Sequence, residues 1–257
     1  MLTVQYNAGF FSCCSVKLSE IIKYFNSNFK IPDSVDSSKQ FELYKTPKNN
    51  ADVTYEYFAS NNSDIIYSKN IDYHYTYQNM EYKNLNYTDI CPFIDRYFSP
   101  SVEIKNIIDM FEKKYNINTY DNICCLFYRG NDKITEMSQC TYEVIIEKAK
   151  SLFAENSNIR FLIQGDETEF IERMTIEFPN NIIFKDEIRH IKKSIDTVDH
   201  VFRNLNPEFS KYYLAITIIM SKCNYIICTS GNCSIWIMLY RGNTHNVYQN
   251  LYNKWTA

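Results

Sequence analysis

The chain has 257 residues, 45% of them hydrophobic and 22% charged, with a formal net charge of -3. That is enough chain for one large domain or two small ones with a real core, and it is too apolar for a disordered protein. The charge balance gives no sign of a nucleic-acid partner, and no apolar run approaches the ~20 residues of a membrane-spanning helix.

The first residues, MLTVQYNAGFFSCC, lack the basic region and apolar run of a secretory signal, so a soluble, cytoplasmic protein is expected. The nine cysteines are odd in number and contain no CxxC. They read as free, buried thiols in a reducing compartment. Four histidines, none at ligand spacing to a cysteine, argue against zinc. The 22 Tyr and 17 Phe, with many Asn, read as compositional bias, a carbohydrate-stacking surface being the alternative.

In chain order, residues 2–6 predict a short strand, 7–12 a loop and 16–26 an amphipathic helix. Residues 31–50 are rich in turn formers, and 64–67 read as a strand. The tyrosine-rich stretch 72–90 has no clear period. From 101 the pattern becomes regular. A helix is expected over 102–115, with Ile104, Ile107, Ile108 and Phe111 on one face. Strands follow at 122–128, 159–164, 181–184 and 225–228, and helices at 142–153, 167–178, 207–222 and 232–240. Strands alternating with helices mean βαβ units and a mostly parallel sheet. Ligands of such sheets bind beyond the carboxyl ends of the strands.

Three strand ends fall on that edge: residues 129–136 (RGNDKITE), Gly165-Asp166-Glu167, and Thr229-Ser230-Gly231-Asn232. The last is a small polar loop opening an apolar helix. Its N–H groups and the helix dipole suit a phosphate, although Ser230 or Asn232 could equally cap the helix. The Arg129 guanidinium matches a diphosphate, and the alternative is an ion pair to Asp132 or Asp166. Gly130 is expected to let the backbone turn. Glu136 could accept a proton from a sugar hydroxyl. Lys133 could position that carboxylate or stabilise a leaving phosphate. A solvated surface charge is the alternative for both. The chain has no GxGxxG, no GxxxxGK[ST], no GxSxG and no Asp-x-Asp pair. Any sugar transfer is therefore expected to be metal-independent.

At these residues the sequence resembles the fucosyltransferase-like superfamily, the group of core α1,6-, nodulation and protein O-fucosyltransferases. YRGNDKITE looks like the family's first strand end, FLIQGDETEFIERMTIEFPNNIIFKD like its acidic turn, and CNYIICTSGNCSIWIML like its Ser-rich loop. NAGFFSCCSVKLSEIIKYF is similar to the glycine loop and helix that open its first domain. The resemblance implies a GT-B-like α/β fold. Residues 101–257 would form a Rossmann-like nucleotide-sugar domain, and 1–100 a smaller, irregular acceptor-side α/β domain. It implies an inverting transfer from a nucleotide-sugar donor, GDP-fucose first, to a glycan or protein hydroxyl, with no further cofactor. A non-catalytic nucleotide-sugar or glycan-binding module is the rival reading, and a different donor a second.

By resemblance, Arg129, Glu136 and Lys133 would be catalytic. Gly9, Arg129, Asn131, Asp132, Asp166, Thr229, Ser230, Gly231 and Asn232 would hold the donor. Two positions depart from the family. Phe127 stands where it has His, and Ile216 lies nearest to an Asp that some members carry. Both of those family residues help recognise guanine.

Overall fold

The computed structural model describes residues 1–61, 65, 67, 69–135 and 138–256. The strand expected over 64–67 lies partly outside them, and the described Ile65 and Tyr67 belong to no strand. No helix among the described residues is long and apolar enough to cross a membrane.

The chain opens with β1 (Leu2–Tyr6), α1 (Phe10–Asn28) and β2 (Val35–Gln40), and β1 and β2 pair in parallel. Helix α1 starts six residues before the expected 16, so the loop is shorter than 7–12. The cause is packing: Phe10, Phe11, Cys13, Cys14, Leu18, Ile21, Ile22 and Phe25 all lie on its buried side. Strand β2 (VDSSKQ) falls inside the segment expected to be turns. Its polar Ser37 and Gln40 are fully buried. Next come α2 (Thr54–Tyr57), β3 (Phe58–Ala59), α3 (Tyr87–Tyr97) and β4 (Ser99–Pro100). Helix α3 lies partly in the stretch without a clear period. Asn86 caps it by accepting from the Asp89 N–H.

The second half follows the expected alternation closely. It runs α4 (Val102–Lys114), β5 (Ile123–Tyr128), α5 (Tyr142–Glu155), β6 (Arg160–Gly165), α6 (Thr168–Glu177), β7 (Asn181–Ile182), α7 (Val198–Val201), α8 (Asn206–Lys222), β8 (Tyr225–Thr229) and α9 (Asn232–Arg241). Two unexpected strands, β9 (Val247–Leu251) and β10 (Lys254–Thr256), end it. Among the described residues the main sheet has the order β10-β9-β8-β5-β6-β7 and is parallel throughout except for β10 against β9.

Every residue of β5 (ICCLFY) is buried, as a central strand covered on both faces requires. On one face Tyr128 stacks on Phe170 of α6, ring centroids 4.9 Å apart. Helices α4 and α9 pack against α8, and Phe127, on the opposite face from Tyr128, shares a cavity with α8 residues. The amino-terminal elements join this layer through α9. Trp236, fully buried, stacks on Phe11 and meets Phe98 edge-on at 4.7 Å. One buried cluster thus runs from Phe10 to Val247.

The strand order creates a switch point. From β5 the chain steps outward to β6 and β7, then crosses back to place β8 on the other side of β5. The carboxyl ends of β5 and β8 therefore lead into loops that depart in opposite directions and leave a crevice between them.

Candidate functional site

A cavity of about 620 Å3 opens at that crevice, within the usual size range of small-molecule sites. Its walls come from residues 6–12 before and at the start of α1, from the ends of β5 and β6, from the start of α9, from one stripe of α8 and from the segment 187–200.

Arg129 enters it directly after β5. Its backbone N–H donates to the Thr229 hydroxyl at 3.0 Å, which locks the ends of β5 and β8 together. One guanidinium nitrogen pairs with Asp132 at 2.7 Å and another with Asp166. The ion pairs weighed against a phosphate role are therefore both formed. A guanidinium has five N–H donors, so these contacts leave others for a ligand.

Gly130 does not use a positive φ, contrary to the expected role as turn residue; the left-handed residue of the turn is Asn131, at φ 47°. A Cβ at Gly130 would run into the carboxylate of Glu167. Glu167 is wholly buried and accepts from the Asn131 N–H at 2.7 Å and from the Tyr142 hydroxyl. Asp166 accepts from the Gly130 N–H at 2.8 Å. The acidic turn after β6 thus organises the turn after β5.

The expected catalytic and donor-binding residues that are described divide into two groups. Gly9, Arg129, Asp132, Lys133, Asp166, Gly231 and Asn232 line the cavity. Asn131, Thr229 and Ser230 do not. Asn131 donates to the Asp166 carbonyl at 2.7 Å and accepts from the Ser194 N–H at 3.0 Å. Ser230 donates to the Asn250 carbonyl and accepts from Gln249. Their polar atoms are spent on joining neighbouring segments. Lys133 is 8% exposed, and its Cε lies 3.9 Å from where a Gly231 Cβ would stand. Glu136 lies outside the described residues.

Two helix N-termini meet in the cavity. Both α1 and α9 have a glycine N-cap, Gly9 and Gly231, and neither has a side-chain cap. The capping alternative for Ser230 and Asn232 is thus not what the structure shows. Gly231, at φ 157°, has backbone angles that suit glycine. Its own N–H is taken by the Tyr82 hydroxyl at 3.0 Å, so an anion would meet the N–H groups that follow it. Among the described α-helices, α1 and α9 alone carry no acidic residue in the first turn. Asn232 holds the two together, donating to Ser12 at 2.8 Å and accepting from Ser15 at 3.0 Å. Ser15 in turn accepts from Trp236 at 2.9 Å.

Sequence reasoning missed the segment 187–200, whose charges carry no periodic signal. There Arg189 pairs with Asp199 at 3.1 Å, bonds Asn206 and lies 5.3 Å from the centre of the Phe209 ring. Asp199 also accepts from the Tyr44 hydroxyl at 2.7 Å. Gln164 was missed as well. Burial pushes the Cys233 thiol at the cavity wall up to about 11, so it is uncharged at neutral pH. All nine cysteines are free.

No protein-family model matches this chain, and no curated protein is similar to it. Among solved structures, fucosyltransferase NodZ from Bradyrhizobium is similar at a TM-score of 0.54 and 9% identity, covering 93% of this chain and 92% of that one. NodZ α-1,6-fucosyltransferase soaked with GDP-fucose gives a TM-score of 0.42 at 11% identity, over 64% of this chain and 51% of that one. A mutant of FUT1 from Arabidopsis thaliana in complex with GDP gives 0.38 at 10% identity, over 63% and 35%. In those two comparisons the match spans about half or less of the other protein's length. At such identities the likeness to Bradyrhizobium NodZ shows the fold alone: a mixed α/β fold with a parallel-rich sheet flanked by helices.

Proposed function

We propose that this protein is a glycosyltransferase that moves a sugar from a nucleoside diphosphate to a glycan or protein hydroxyl, with inversion and without a metal ion. The resemblance of YRGNDKITE and its partner motifs makes GDP-fucose the leading donor. The observation that carries the reading is the convergence of two uncapped, glycine-led helix N-termini with Arg129 and Lys133 on one cavity at the switch point.

In this reading the diphosphate lies between the starts of α1 and α9. The N–H groups of each first turn and the two helix dipoles face it. Arg129 and Lys133 stabilise the charge that builds on the departing diphosphate. Asp132 and Asp166 hold the guanidinium in place before the donor arrives, which lowers the cost of ordering it. The acceptor hydroxyl attacks the anomeric carbon from the side opposite the diphosphate, and Glu136 takes its proton.

One observation favours the rival, a module that binds without turning over. Every carboxylate lining the cavity among the described residues already has a partner. Asp132 and Asp166 pair with Arg129, Asp199 with Arg189, Glu42 with Lys45, and Glu187 with Lys114 and Tyr115. The general base therefore rests on Glu136.

The test is release of nucleoside diphosphate from a panel of nucleotide sugars by the purified protein, with candidate acceptors present. Arg129→Ala is expected to lower kcat/KM by about a hundredfold or more, the usual effect of removing a donor to developing charge. Binding without release identifies the module. Full activity in Arg129→Ala contradicts the phosphate role.

A further inference from the structure

Gln164 is a polar side chain of the cavity wall that takes no part in the ion pairs around Arg129. It is the last residue but one of β6, it is only 5% exposed, and it lines the cavity. Its Oε1 is buried and has no hydrogen-bond partner among the described residues. A native structure rarely leaves a buried amide oxygen orphaned unless a water or ligand completes it.

The surroundings indicate what kind of ligand. Gln164 pairs in register with Phe127 of β5, so both side chains stand on the same face of the sheet. Above them α8 presents Phe209, Tyr213 and Ile216 to the cavity, spaced as one stripe of a helix. An amide therefore stands in a recess of rings and aliphatic carbon. Arg129 follows Phe127 by two residues, just past the end of β5, roughly 7 Å at the rise of a strand. That is about the span of a ribose between a base and its phosphates.

We propose that Gln164 is a specificity-determining residue that reads the nucleobase of the donor. Its buried Oε1 accepts an N–H of the base, and its Nε2 donates to the ring nitrogen or carbonyl beside that N–H. Phe127 and the α8 stripe enclose the planar ring. This rests on the nucleotide-sugar reading of the cavity and names the part of the donor that the recess takes. Guanine, uracil, adenine and cytosine all offer such a donor–acceptor edge, and the arms of the experiment tell them apart.

The experiment is calorimetric titration of wild type and Gln164→Leu with GDP, UDP, ADP, CDP and inorganic pyrophosphate, with a thermal melt of each protein. In wild type at least one nucleotide should bind ten times or more tighter than pyrophosphate. Gln164→Leu should remove that advantage, a loss of about ten- to a hundredfold for the preferred nucleotide. It should leave pyrophosphate binding unchanged and should not lower the melting temperature, because the lost oxygen had no partner in the protein. A purely structural glutamine would lower stability and weaken every ligand together. A second measurement needs only wild type: the preferred nucleotide, methylated at the N–H of its pairing edge, should fall to the affinity of pyrophosphate. The proposal is overturned if Gln164→Leu keeps the base preference or if the methylated nucleotide binds as well as its parent. If wild type binds neither nucleotides nor pyrophosphate, the donor-site reading itself falls. If it binds all of them equally, only the role of Gln164 falls.

Discussion

Between Arg129 and Lys133 the charges that crowd the end of β5 are held by a second strand end. Asp166 takes the Gly130 N–H and an arginine nitrogen, and Glu167 takes the Asn131 N–H. Gly130 is glycine because the Glu167 carboxylate occupies the space of a Cβ. Gly130→Ala should therefore destabilise the fold by about 1–3 kcal/mol, the usual cost of overpacking a buried site. Urea denaturation would measure it, and an unchanged midpoint would show that Glu167 can move aside. The positions of Arg129, Lys133 and Asp166 at the cavity follow from reading strand ends in a parallel sheet. The roles of Asn131, Thr229 and Ser230 were not legible in the same way. Whether a polar side chain faces a cavity or a neighbouring backbone is decided by tertiary partners such as Ser194 and Asn250, far away in sequence.

At the scale of elements, the site depends on how α1 and α9 are joined. Asn232 bonds Ser12 and Ser15 across more than two hundred residues of chain. Asn232→Ala should cost about 1–2 kcal/mol of stability, two partly buried hydrogen bonds at about 1 kcal/mol each. It should also weaken nucleoside diphosphate binding by letting the two helix starts part. Thermal melts with and without ligand separate the effects, and a variant with unchanged melting and binding would remove Asn232 from this role. Strands β5, β6 and β8 were legible because continuous apolar runs mark strands covered on both faces. Strands β2 and β9 were not, since VDSSKQ and VYQNL hide buried Ser37, Gln40, Gln249 and Asn250 behind polar sequence. The first six residues of α1 were missed for a related reason: with no side-chain cap, nothing in FFSCC marks where a helix begins.

For the whole molecule, the order β10-β9-β8-β5-β6-β7 places a crevice between β5 and β8, and the start of the amino-terminal α1 lines it. The alternation of strands and helices after residue 101 was enough to expect a parallel sheet with a ligand edge. The strand order was not legible, because the return of the chain from β7 to β8 leaves no mark on composition. The proposed division at residue 100 remains a proposal about folding units, since the buried core runs through both parts. The central claim is that this crevice holds a nucleoside diphosphate. The most direct test is thermal unfolding of wild type and Arg129→Ala against a panel of nucleoside diphosphates. A ligand at a hundred times its dissociation constant should add about 2.7 kcal/mol to the stability of wild type. The account predicts that at least one nucleotide raises the wild-type melting temperature and that Arg129→Ala loses most of that rise. A cooperative wild-type transition that no nucleoside diphosphate moves would contradict it.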